Sequence, residues 1–477
     1  MTPPEVIAIF DIGKTNKKIL LFDKQYRPVY EETVSLASIT DEDGVSCEDV
    51  GALVQWMKAT MRRLLANKEW IIRAINFSTY GASLVHIDKE GQPVTLLYNY
   101  SKPVEKEIIA SFYALFGTAE QFPVQTGSPR LAMLNSGLQL YWLKYNRPGD
   151  FLKIKCSLHL PQYVSYVFTG DRTADITSVG CHTGMWDVRH HRYHSWLEKE
   201  GMLQMLPPVM PFNETKLIDY EGHSLVSGIG LHDSSASVLP FLMQSPDPIC
   251  ILSTGTWNIA LLPSFDGALS EEDYRHDCLY YFLGVMRPIA AARIFLGQEI
   301  ECQVKKMKTH FNATDLSFLD MKTNAAMVRQ LCVSNTHEKT FIPEMMYGTG
   351  PCPSLKGEGA SLDRFGSFAE AYHKLMLDAA YLQKESLGLL LNKSRFTKVY
   401  VTGGFTRNTL FMDILQHFFP ALDFYLASVS NGSALGAAIA IHDKWNEGEL
   451  NKNVVETTLF TPSVELDLSS YVYLGNG

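Results

Sequence analysis

Residues 6–23 read VIAIFDIGKTNKKILLFD, and how the Gly13-Lys14-Thr15 tripeptide inside them is read decides the fold. G-K-T ends a P-loop, but a P-loop needs a glycine five residues before its second glycine, so that the backbone can wrap a phosphate. Here that position is Ala8, inside the apolar run Val6-Ile7-Ala8-Ile9-Phe10. A second apolar run, Ile19-Leu20-Leu21-Phe22, leaves the turn, and no helical pattern follows Thr15. The pattern is strand, polar turn, strand: a β-hairpin with Asp11 leading into its turn. A carboxylate between two buried strands calls for a partner such as Mg2+, although a turn aspartate also satisfies its own backbone.

The same form returns at DPICILSTGTWNIALLP, residues 247–263, a strand, a Ser-Thr-Gly-Thr turn and a strand. Between the hairpins lie helical spacing in VGALVQWMKATMRRLLANKEW, strands in IIRAINFS, SLVHID and PVTLLY, and helical LNSGLQLYWLKYN, LPQYVSYVFTG and WLEKEGMLQML. Later come helical AYHKLMLDAAYLQKESLGLLLNKS, the strand KVYVTGG and the helix GSALGAAIAIHDKW. Two α/β halves that each open with a polar-turned hairpin imply a duplicated fold, with domains expected at 1–246 and 247–477.

The 477 residues exceed one ordinary core, and 46% hydrophobic with 19% charged residues is a globular composition. A net charge of -9 with no long Lys/Arg run argues against a nucleic-acid partner. No segment has the length of a membrane span or the form of a signal peptide. Eight scattered cysteines without a CxxC pair read as reduced, mostly buried thiols, so a cytoplasmic protein is expected. RHHRYH at 189–194 holds close histidines but no second ligand cluster, and reads as a solvated turn. MYGTGPCPSLKGEG at 346–359 reads as a connector or a loop near the site.

Three turns are candidates to hold one nucleotide, because small residues let backbone N–H groups approach phosphate. They are Asp11 to Asn16, Ser253 to Trp257, and Thr402-Gly403-Gly404-Phe405 with Asn408 just beyond. Their order along the chain, with STYGASLVHIDKEGQPVTLLYNY (78–100), LPQYVSYVFTGDRTADITSVGCHTGMWD (160–187), GIGLHDSSASVLP (228–240), STGTWN (253–258), VTGGFTRN (401–408) and GSALGAAIA (432–440), resembles the FGGY family of carbohydrate kinases in the actin-like ATPase superfamily. Within it, the His232-Asp233 pair and the Gly255-Thr256-Trp257 turn are most similar to rhamnulokinases and fuculokinases.

The resemblance implies an α/β protein of two RNase H-like domains, with nucleotide and sugar in a cleft between them and hinge closure on binding. It implies ATP and Mg2+ as cofactors, Asp233 as catalytic base, and Asp11 ordering the metal through water. Gly13, Thr15, Asn16, Gly255 and Thr256 fall on phosphate contacts, and Gly403, Gly404 and Asn408 on adenosine contacts. Gly81 and His232, with Tyr80 and Asn99, fall on the sugar. Two departures stand out: Lys14, where many members carry Thr or Ser, puts a cation at the phosphate turn, and Tyr100 replaces a frequent aspartate, removing an acceptor for sugar hydroxyls. Asp233 before Ser-Ser-Ala-Ser also reads as an ordinary helix N-cap, and His232 as a satisfied surface histidine.

The expectation is an ATP-dependent kinase acting on the primary hydroxyl of an uncharged sugar, a ketose of the rhamnulose or fuculose kind, by a monomer or homodimer with no nucleic-acid or membrane partner. A glycerol-type polyol kinase and a non-catalytic actin-like regulator are the alternatives. A pure nucleotide switch has no need of a base at Asp233.

Overall fold

The computed structural model describes residues 2–118, 120–245, 247–313, 318–346, 350–355, 359–429 and 431–474. The expected boundary residue 246, and parts of the Gly/Pro-rich loop at 346–359, lie outside them. The chain forms two compact units. The first comprises Met1–Gln244, Tyr280–Pro288 and Ser430–Val454; the second comprises Ser245–Leu279, Ile289–Val429 and Val455–Gly477. Among the described residues no helix is long and apolar enough to cross a membrane.

In the first unit, β1 (Glu5–Ile12) runs antiparallel to β2 (Lys17–Asp23), which continues to β3 (Pro28–Val34), so the opening stretch is the hairpin its pattern predicts. On its other side β1 runs parallel to β4 (Ile71–Thr79), with Asp11 level with Ser78. β5 (Thr215–Tyr220) and β6 (His223–Gly228) extend the sheet beyond β4, and the short β7 (Leu231–His232) pairs parallel with Ser78 and Thr79. Strand β1 is covered on both faces, which is why Val6 to Phe10 reads as an unbroken apolar run rather than alternation. Asp49 caps the helix Val50–Leu65, whose Leu53, Met57, Met61 and Leu64 join Phe10, Leu21 and Phe77 in the core. The helix Gly432–Ala440 packs on β1, β4 and the helix Asp233–Ala236. A Cβ at Gly436 would fall 1.8 Å from the carbonyl oxygen of Ala236, so only glycine admits this crossing.

The second unit repeats the plan. β8 (Ile249–Thr254) is antiparallel to β9 (Asn258–Leu262), which pairs with β10 (Arg287–Ile294). On its far side β8 is parallel to β11 (Lys398–Gly403), followed by β12 (Asp423–Ser428) and β13 (Glu456–Leu459). Each unit therefore has a central strand with a hairpin partner on one side and a parallel strand on the other.

Two local expectations fail. PVTLLY makes only single bridges, Ile87 to Pro93 and Glu48 to Leu97, because proline cannot donate to a ladder. WLEKEGMLQML is not one helix but the short helix Ser195–Lys199 and a 3-10 turn at Leu203–Met205, parted by Gly201 at φ 67°.

Candidate active site

In the first unit, Asp11, Ser78 and His232-Asp233 all come from the carboxyl ends of mutually parallel strands, where open α/β sheets bind ligands. The Asp11 carboxylate accepts 3.0 Å hydrogen bonds from Ser433 Oγ at both oxygens. Burial, and then the charge of Asp233, push its pKa up to about 6 against the opposing Ser433 and Ser78 donors and Lys18. Asp233 is the first residue of the helix Asp233–Ala236 and its Oδ1 accepts from the N–H of Ser234 at 2.6 Å and the Ser234 hydroxyl at 3.2 Å. His232 occupies the cap position, so Asp233 is not the N-cap. Burial raises its pKa to about 6 as well.

The β1–β2 turn is closed by the Gly13 N–H donating to the Asn16 carbonyl at 2.9 Å, with Thr15 and Asn16 exposed. Lys14 does not simply extend the turn as a free cation. Its Nζ lies 5.1 Å from the ring centres of both Tyr80 and Tyr100, and burial lowers its pKa. Beneath it, buried Lys17 pairs with Glu48 at 2.5 Å, and the Tyr80 hydroxyl donates to the same Glu48.

The expected sugar residues divide. Gly81 lies so close to His232 that a Cβ would sit 2.4 Å from Nε2. His232 is 4% exposed and packs beside Cys181 and the Tyr281 ring, as a wall of the site. Asn99 folds into its own loop, donating to the Ser46 carbonyl and accepting from Ser101.

In the second unit, a cavity of about 710 Å³ is lined by Gly255, Thr256, Gly404, Phe405 and Asn408. Its apolar wall is Ile300, Val304, Phe318 and Leu319, with Lys305 and Lys308 beside it. Gly297 carries the turn close to the helix Leu296–His310, for a Cβ there would meet the Gly255 oxygen at 1.8 Å. Gly403 has φ 87°, and a Cβ on it would strike the Thr254 oxygen at 1.8 Å, whereas Gly404 has open space beside it. Asn408 lines the cavity with its side chain already bonded: it accepts from Phe411 N and donates to the Tyr372 hydroxyl at 2.9 Å.

Two half-buried carboxylates, both with proton affinity raised by burial and that of Asp11 raised further by Asp233, fit a hard, oxygen-ligated cation such as Mg2+. A glycine-edged cavity with an apolar wall and two lysines fits a nucleotide. The sequence reading missed Ser433, Glu48, Lys17 and the wall from Gly297 to Leu319. Ser433 lies in the GSALGAAIA stretch, where a lone hydroxyl among small apolar residues is the signal. Of the 189–194 stretch, Arg189 and His190 form the exposed turn expected, with His190 on Asp187 at 2.8 Å, whereas His194 is buried, bonded to Gln125 at 3.1 Å, and caps the helix Ser195–Lys199.

The profile of the FGGY family of carbohydrate kinases, N-terminal domain, matches residues 6–220, and that of the carbohydrate kinase FGGY C-terminal domain matches residues 246–449. A 192-residue stretch is 28% identical to the rhamnulokinase of Halalkalibacterium halodurans, covering 37% of this chain and only 37% of that protein's length. A carbohydrate kinase from Novosphingobium aromaticivorans superposes with TM-score 0.79 at 23% identity, over 98% of this chain and 96% of the other. A ligand-bound xylulose kinase from Lactobacillus acidophilus superposes at 0.75 and 16% identity, over 96% and 94%. The Plasmodium falciparum glycerol kinase with ADP does so at 0.72 and 14%, over 92% and 89%. These structural likenesses speak for the actin-like ATPase fold, and the two profiles for the kinship. The chain belongs to the FGGY family of carbohydrate kinases.

Proposed function

We propose that this kinase transfers the γ-phosphoryl of ATP to the primary hydroxyl of an uncharged sugar, a ketose of the rhamnulose or fuculose kind. The observation that carries the reading is the Asp11–Asp233 pair: two carboxylates at the ends of parallel strands, each with its pKa raised to about 6. A base poised just below neutral pH is ionised in use yet still basic enough to take a proton.

A sugar hydroxyl is a weak nucleophile, and its proton must leave as the O–P bond forms. Asp233 takes that proton at Oδ2, since Ser234 occupies Oδ1. Bound ATP with Mg2+ supplies the phosphoryl group and neutralises its charge. Asp11 would hold the metal, with Ser433 fixing its carboxylate. The turns at Gly13, Thr15 and Asn16, and at Gly255 and Thr256, bind phosphate, and the cavity edge at Gly404 and Asn408, with Gly403 just before it in the chain, takes the adenosine. Tyr80, Gly81 and His232 shape the sugar side, with Asn99 ordering its loop.

A second reading rests on Lys14. Among the described residues its ammonium makes no ion pair, and it lies over Tyr80 and Tyr100 on the sugar side, where it suits a sugar acid. Gluconate kinase from Lactobacillus acidophilus is a structural neighbour, with TM-score 0.74 at 16% identity. The deciding measurement is kcat/KM, read by ADP release, across 6-deoxyketohexoses, ketohexoses, pentuloses, glycerol and gluconate. Preference for a ketohexose supports the first reading; preference for gluconate replaces it with the second, and preference for glycerol overturns both.

A further inference from the structure

Beside the base lies a cluster of which the proposed phosphoryl transfer uses only His232, as a wall of the sugar side. Cys181, His182 and His232 are all buried and bring one sulfur and two imidazole nitrogens within 4.8 Å of one another. Cys181 and His182 sit on the turn after the helix Ile176–Val179, and His232 ends β7. The backbone at His182 has φ 42°, a left-handed conformation unfavourable for a non-glycine residue that persists where the surroundings hold it.

The geometry suits one ion. In a tetrahedral zinc site with Zn–S of about 2.3 Å and Zn–N of about 2.0 Å, the S···N edge is about 3.5 Å. The Cys181 Sγ to His232 Nε2 separation is 3.8 Å, so a few tenths of an ångström would close that edge, and the two edges to His182 lie within 4.8 Å and close as the site tightens on the ion. His182 Nδ1 lies 3.1 Å from the Leu134 carbonyl oxygen and donates to it, which leaves Nε2 as the ligand atom. A backbone acceptor on the far nitrogen is the usual support of a metal-bound imidazole. Burial holds His232 neutral, with its pKa lowered to about 4, as a ligand must be.

We propose that Cys181, His182 and His232 form a binding site for a thiophilic divalent ion, zinc foremost, and that its occupation slows phosphoryl transfer. Binding breaks the S–H bond of Cys181, the proton passes to solvent and an S–Zn bond forms, with no change of oxidation state. A sulfur and imidazole donor set does not suit Mg2+, which takes oxygen ligands, so this site is distinct from the one at Asp11. His232 Nε2 is also 3.6 Å from Asp233 Oδ1 and packs against Gly81 on the sugar side, so an ion held there sits between the base and the substrate wall. The inhibition rests on the reading of Asp233 as base; the binding does not.

The test is titration of the metal-free full-length protein with Co2+, a spectroscopic stand-in for zinc. A thiolate-to-cobalt charge-transfer band with tetrahedral visible bands, saturating at one equivalent and displaced by Zn2+, is expected. Cys181→Ser should lose the charge-transfer band and weaken Zn2+ retention in equilibrium dialysis by at least about 100-fold, beyond what loss of a supporting partner does. With saturating MgATP, Zn2+ should lower kcat/KM of wild type by about tenfold and leave Cys181→Ser unaffected. No tetrahedral cobalt spectrum in wild type, or the same band in Cys181→Ser, overturns the site. Cys181-dependent binding with unchanged wild-type kcat/KM overturns the inhibition, and Asp233→Asn then reports separately on the base.

Discussion

The hydroxyl of Ser433 lies 3.0 Å from each carboxylate oxygen of Asp11, joining residues 422 positions apart in the chain. This donor favours the ionised carboxylate, against burial and the neighbouring Asp233. Ser433→Ala should therefore raise the Asp11 pKa and weaken its hold on the metal. A hydrogen bond to a charged group is worth about 1.5–3 kcal/mol, so kcat/KM should fall about tenfold or more. The Mg2+ concentration for half-maximal rate should rise in parallel. An unchanged Mg2+ dependence would remove Ser433 from the site.

Asp233→Asn should keep the fold and nucleotide binding but lower kcat by about 10²- to 10⁴-fold, the usual share of a general base. In wild type the carboxyl must be ionised to accept a proton, and its pKa is raised to about 6. Hence kcat/KM should be flat above that value and fall as pH drops through it. The acid limb should be absent from the residual activity of the variant. Initial rates from acid to neutral pH, with nucleotide binding followed by calorimetry, check both points.

Gly403 and Gly404 should answer differently to alanine. At Gly403 a side chain would require a left-handed backbone and meet the Thr254 oxygen at 1.8 Å, so Gly403→Ala should lower the Tm and lose activity together. At Gly404 nothing lies within 4 Å, so Gly404→Ala should keep the wild-type Tm. If adenosine lies against that backbone, only KM for ATP rises in Gly404→Ala. Thermal melts beside ATP titrations separate the two cases.

Asp175 is fully buried and its pKa is raised to about 7, chiefly by burial, although Thr177 donates to it through both backbone and hydroxyl. Because the folded pKa lies above the unfolded value of 3.8, the native state binds the extra proton between them. Its ionisation therefore erodes stability as pH rises from about 4 to 7, and the loss is complete above that. Asp175→Asn should melt higher than wild type at pH 8, by roughly 2–4 °C per kcal/mol recovered, with the gap closing toward pH 4. A gap independent of pH would contradict the assignment.

What the sequence determined by itself was local and periodic. Unbroken apolar runs beside a polar turn specify a hairpin in a sheet buried on both faces, and so β1–β2 and β8–β9 were legible without coordinates. The spacing of Leu53, Met57, Met61 and Leu64 likewise specified a helix. Asp11 and the glycine turns stood out because their residue types are needed wherever backbone meets phosphate or a charge is held between strands, whereas Asp233 was singled out by the family resemblance. Only the tertiary structure decided which distant side chains meet them. Ser433 reaches Asp11 because Gly436 lets its helix cross tightly on Ala236; Lys14 lies on Tyr80 and Tyr100; Cys181 and His182 converge on His232. The physical reason is that hydrophobic periodicity encodes which face of an element is buried, whereas a contact across hundreds of residues depends on the packing that brings two faces together.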